Sequence, residues 1–136
     1  MKVFIFGNPD ILIDSLPLRI LPQLKVLYPN IEFEVKDPNE EWDFSSRPRL
    51  EARPRGEASD LTIIDTAIGI KKVTVFHDLK QFALPPRLGM HDFDAFTNLR
   101  YLMKLGKINT VTIIGIPPEI NEEKAIEEIS KLNILL

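Results

Sequence analysis

The sequence contains no cysteine. That absence removes disulfide scaffolds, thiolate zinc sites and cysteine nucleophiles together, so any metal must be held by carboxylate, imidazole, carbonyl or water. Glycine is scarce, six residues in 136. The first loop, Gly7 to Asp14, lies where phosphate-binding loops occur, but it has one glycine and no P-loop lysine, so nucleotide binding has little support. An excess of positive charge is also missing. The formal net charge of -3 and pI near 5.4 are the reverse of what a dedicated nucleic-acid binder carries. No apolar run approaches the ~18 to 20 residues needed to cross a bilayer. The N-terminal Met1 to Gly7 stretch is too short in its apolar part for a signal peptide. A cytoplasmic protein with no nucleic-acid partner and no membrane insertion is expected, with a monomer as the default. G-x-S-x-G is absent, and no serine has an evident histidine partner, which sets serine hydrolysis aside.

What is present fits one domain, residues 1-136, long enough to bury a core without staples. Lys2 to Phe6 is a short β-rich run ended by Gly7-Asn8-Pro9. Asp14 or Ser15 can cap the helix that follows, in which Leu16, Ile20, Leu24 and Leu27 recur at helical spacing; Pro22 predicts a kink or a break. Ile31 to Val35 alternates apolar and acidic residues, as an edge strand would. From Lys36 to Asp60 the chain is polar and without period, an irregular loop. Leu61 to Asp65 and Val73 to Phe76 are nearly continuous apolar runs, which predicts two central strands covered on both faces.

A second irregular segment, Gln81 to Met90, leads into His91-Asp92 and a helix with Phe93, Phe96, Leu99, Leu102 and Met103 on one face. Val111 to Ile116 is a last buried strand. Asn121 can cap a closing helix whose Ala125, Ile126, Ile129 and Leu132 face inward, with Glu122 and Glu123 at its positive end. The expected fold is α/β, a single-domain three-layer sandwich with a mostly parallel sheet of about five strands and helices on both faces.

Asp14 and Asp65 each lie just past a predicted strand, and residues beyond the carboxyl ends of parallel strands converge on one crevice. A helix cap is the plain alternative for Asp14, and a strand-terminating polar residue for Asp65. Both histidines, His77 and His91, also follow apolar or irregular runs, and spacing leaves the choice between them open. Two carboxylates and a neutral imidazole suit a borderline divalent ion such as zinc or nickel and leave positions for substrate or water. Asp14 and Asp65 as a glycoside-hydrolysing pair lack any visible aromatic sugar platform.

Along nearly its whole length the chain resembles the nickel-iron hydrogenase maturation endopeptidases. Their opening strand is followed by a G-N-x-L-x-x-D-[DE]-G-x-G pattern, in which Gly7 and Asn8 match and Asp14 falls on the second acidic position. Arg19 falls where the family often has arginine. Ile63-Ile64-Asp65-Thr66 is similar to the family's strand-ending I-V-D-A run, and Val111 to Glu119 to its last strand and G-x-x-P-E ending. His91-Asp92-Phe93-Asp94 looks like an archaeal branch. Ile13 stands at the first acidic position, and Ser15 and Pro17 stand where glycines are usual.

The resemblance implies that Asp14, Asp65 and His91, rather than His77, are the catalytic and metal-contacting set of a metal-dependent, aspartic-type endopeptidase. Its partner would be a hydrogenase large-subunit precursor, shortened at its C-terminus after nickel insertion. The cofactor would be nickel supplied by that precursor, with no resident organic cofactor. Asp65 and His91 are expected to face solvent in the crevice. A non-catalytic, metal-dependent assembly factor with the same fold is the alternative, and a flavodoxin-like small-ligand binder a weaker third.

Overall fold

A computed structural model of the protein describes residues 2-7, 10, 12-36, 59-77 and 108-135. In chain order these form β1 (Lys2–Ile5), a 3-10 turn (Leu12–Asp14), α1 (Leu16–Leu27), β2 (Glu32–Val35), β3 (Ser59–Thr66), β4 (Thr74–Phe76), β5 (Ile108–Ile116) and α2 (Glu122–Lys131). The five strands make one sheet in the order β2-β1-β3-β5-β4. All neighbours pair in parallel except β4 and β5, which are antiparallel. The fold is α/β with a mostly parallel five-stranded sheet. The predicted helix beginning at Phe93, the segment 81-90 and most of the loop 36-60 lie outside the described residues, and Ser59 and Asp60 of that loop belong to β3.

Alternation along the parallel strands sends Val3, Ile5, Ile64, Ile114 and Ile116 to one face, where they meet Leu16, Ile20 and Leu24 of α1 and Ala125 and Ile129 of α2. The two helices also touch each other on that face. Leu16, Ile20 and Leu24 have no exposed surface, and each such burial contributes roughly 1.5 to 3 kcal/mol relative to exposure. That apolar stripe accounts for a helix that runs unbroken through Pro22, where a kink or a break was expected; Pro22 itself is exposed and lies off the stripe. Phe4, Phe6, Ile63, Val111 and Ile113 point to the other face and are buried as well. The apolar runs do mark strands covered on both sides.

β2 is an edge strand, as its alternation predicts, with Glu32 and Glu34 exposed and Lys2 3.3 Å from Glu34. β4 is not the central strand that its composition suggests. It lies at the opposite edge and runs antiparallel. The cause is the connection: residues 67-73 fall short of the dozen or more that a parallel crossover needs, so the chain turns across the end of β5 and comes back along it. Gly69, at φ 87°, serves that turn. Val73 and Phe76, both buried but on opposite faces, made the segment read as interior. No helix among the described residues is long and apolar enough to cross a membrane.

Candidate functional site

The sheet order reverses direction at β1. From β1 the chain goes outward to β2, then returns to place β3 on β1's other side. The carboxyl ends of β1 and β3 therefore flank a topological switch point, the place where open α/β sheets bind ligands. Ile5 lies opposite Ile64, and the next amide along, Phe6 N–H, donates to the Ile64 carbonyl at 2.9 Å. Both predicted carboxylates belong to this edge. Asp14 ends the 3-10 turn between β1 and α1, and that turn packs against β3; Asp65 is the penultimate residue of β3.

A close approach at Gly7 brings the turn to the strand end. A Cβ there would stand 3.0 Å from the Asp14 carbonyl oxygen and 3.1 Å from Leu18 Cγ, so only a residue without one lets the turn sit this near. Asp14 is half-buried and does not hold the helix N-cap position, which belongs to Ser15. The plain reading of Asp14 as the capping residue is set aside on that ground.

Asp65 departs from the expectation of a solvent-facing carboxylate. It has no exposed surface, because β3 is the middle strand, with β1 on one side and β5 on the other. Its Oδ1 accepts from the Thr66 N–H at 2.8 Å. Across the ladder Asp65 faces Gly115, where an added Cβ would come within 2.8 Å of the Ala67 Cβ and 2.9 Å of the Phe76 ring. The missing side chain at 115 thus lets the ring and Ala67 close over the strand next to the carboxylate. Thr66 is 6 % exposed, and its Oγ1 has no hydrogen-bond partner among the described residues. A buried unpaired hydroxyl costs about 1 to 3 kcal/mol, so Thr66 is a residue of this edge that sequence patterns gave no reason to single out.

His77 is carried away from this edge. Thr74 lies opposite Gly115, in the row of Asp65, and Phe76 lies opposite Ile113. Antiparallel β4 runs away from the carboxyl edge, so exposed His77 ends about 10 Å along the strand axis from that row, at ~3.3 Å per residue. His91 lies outside the described residues. Among those described, no three His, Asp or Glu side chains form a group able to hold a metal ion.

Two solved structures have this fold. One is the hydrogenase maturating endopeptidase HybD from E. coli, matched with a TM-score of 0.56 at 16 % identity over 96 % of this chain and 86 % of that one. The other is an endopeptidase from Escherichia coli determined in solution, with a TM-score of 0.54 at 17 % identity over 97 % and 86 % of the two chains. Likeness at this level of identity is likeness of fold. No protein-family model matches the sequence, and no curated protein matches it.

Proposed function

We propose that the protein is an endopeptidase of hydrogenase maturation, removing a C-terminal extension from a nickel-iron hydrogenase large-subunit precursor once nickel is in place. One observation carries the reading. Asp14, in the turn that follows β1 and packs against β3, and Asp65, at the end of β3, are the residues singled out by the motif resemblance, and both belong to the switch-point side of a fold that HybD shares over 96 % of this chain.

In this reading Asp14 and Asp65 offer oxygen ligands and His91 a nitrogen ligand to the nickel that the precursor carries. Cleavage then waits for correct loading, because the shell closes only on a loaded substrate. The ion supplies Lewis acidity at the scissile peptide, polarising its carbonyl or acidifying a water to a pKa near 7. The buried setting of Asp65 strengthens charge interactions on which such sensing depends. The chain acts in the cytoplasm, as a monomer.

Nickel-loaded and nickel-free precursor, each incubated with the protein and weighed by mass spectrometry, test the reading. Only the loaded form is expected to shorten. His91→Ala should abolish the mass loss, while His77→Ala should leave it intact, since β4 carries His77 away from the edge. The reverse pattern would mean that the wrong histidine has been chosen. Ile13, Ser15 and Pro17, which stand where the resembled pattern has an acid and two glycines, favour one second reading, an assembly factor that binds loaded precursor without cutting it. Binding without shortening is its signature in the same assay.

A further inference from the structure

The start of α1 is held in an unusual way. Ser15 occupies the N-cap position with φ -98° and ψ -12°, and its side chain caps no amide. Its buried hydroxyl is a hub instead. Oγ donates to the Leu12 carbonyl at 3.0 Å and accepts from Arg19 Nε at 3.1 Å. The Ser15 N–H donates to the same Leu12 carbonyl at 3.3 Å. Arg19 Nη1 in turn lies 3.8 Å from Glu122 Oε2, the first residue of α2. Leu12 and Ser15 bracket the turn that holds Asp14, so the turn is tied to itself and, through Arg19, to the first two turns of the helix.

We propose that Ser15 and Arg19 are positioning residues that hold Asp14 in register for the metal carried by the substrate. The proposal rests on the endopeptidase reading and names how that site is kept in shape. Where the resembled pattern has a glycine after its acidic pair, this chain has Ser15, whose hydroxyl replaces backbone freedom with two directed bonds. Pro17 stiffens the next turn in the same sense. The Arg19 to Glu122 pair is long and about two-fifths exposed on each side, so it adds little by itself.

Two substitutions at one position separate the bond from the charge. Arg19→Gln places an amide nitrogen where Arg Nε was and keeps a donor to Ser15 without the positive charge; Arg19→Met removes both. Steady-state processing of nickel-loaded precursor should show kcat lowered about tenfold in Ser15→Ala and Arg19→Met with KM little changed, as a small misplacement of a reacting group predicts. Arg19→Gln should stay within about twofold of wild type, and the double variant Ser15→Ala/Arg19→Met should be no slower than either single one, because both break the same contact.

Amide hydrogen exchange of the free protein should quicken across residues 12-19 in Ser15→Ala and Arg19→Met and not in Arg19→Gln. An Arg19→Gln as slow as Arg19→Met, additive single effects, or unchanged exchange would each overturn the proposal. Should the wild-type protein leave loaded precursor uncut, the endopeptidase reading falls. The exchange pattern then decides by itself whether the brace exists.

Discussion

The two helices on one face of the sheet begin in opposite ways. α2 starts as helix chemistry prescribes: the Asn121 side chain accepts from the Lys124 N–H at 2.7 Å, and Glu122 and Glu123 sit at the positive end. α1 has no side-chain cap and no acidic residue in its first turn, and its N-cap hydroxyl is turned back into the preceding 3-10 turn. In the proposed brace one helix start serves stability, and the other places Asp14. Neighbouring elements with similar apolar stripes can thus carry different duties at their ends.

If that division is right, substitutions at the two starts should separate activity from stability. The largest expected effect is Asp14→Asn, which should lower processing of loaded precursor by more than about 100-fold while hardly moving the urea midpoint, since the amide is isosteric and the position is half-buried. Gly7→Ala comes next. Its Cβ pushes the Asp14 carbonyl and Leu18 by a few tenths of an ångström, so a loss of about tenfold in kcat and roughly 1 kcal/mol of stability is expected from kinetics and denaturant titration.

Asn121→Ala should do the converse, costing about 1 kcal/mol in denaturant titration with kcat unchanged. An equal loss of activity in Asn121→Ala would erase the distinction between the two starts.

The smallest effect belongs to the far end of α2. There Glu127 is held below the usual carboxylate range, first by a hydrogen bond from Lys131 and then by the charges of Lys131 and Lys124. A depressed folded-state pKa gives stability that is present above the unfolded value and lost as pH falls through the folded one. Glu127→Gln should therefore lower the neutral plateau of a stability–pH curve slightly and flatten its acid limb by the same amount, with kcat unchanged.

Much of this fold was legible in the sequence because single segments carried their own signals. The alternation at Ile31 to Val35 gave the edge strand, the four-residue spacing after Ser15 gave α1, and Asn121 with two glutamates gave α2. Asp65 was legible as a strand-end residue for the same reason, whereas Asp14 sits in a 3-10 turn beyond its strand. What could not be read depended on partners distant in sequence. Val73 to Phe76 shows the apolarity of a central strand, and only the short link from β3 betrays its reversal. The burial of Asp65 depends on β1 and β5 flanking it, and no local pattern encodes that. Nor does the sequence say which of several acceptors and donors the Ser15 hydroxyl will choose.

The register of β3 against β5 has a kinetic consequence. Asp60 meets Thr110 and Asp65 meets Gly115, contacts fifty residues apart along the chain. Loop-closure entropy must be met before such a pairing brings any gain, so the middle of the sheet is a late event in folding. Until then the inner edge of β3, Leu61 to Ile64, is an open apolar strand. The interval before β5 docks is therefore when the chain is most exposed to aggregation, and delaying the appearance of the segment that carries β5 would lengthen that interval without touching the finished structure.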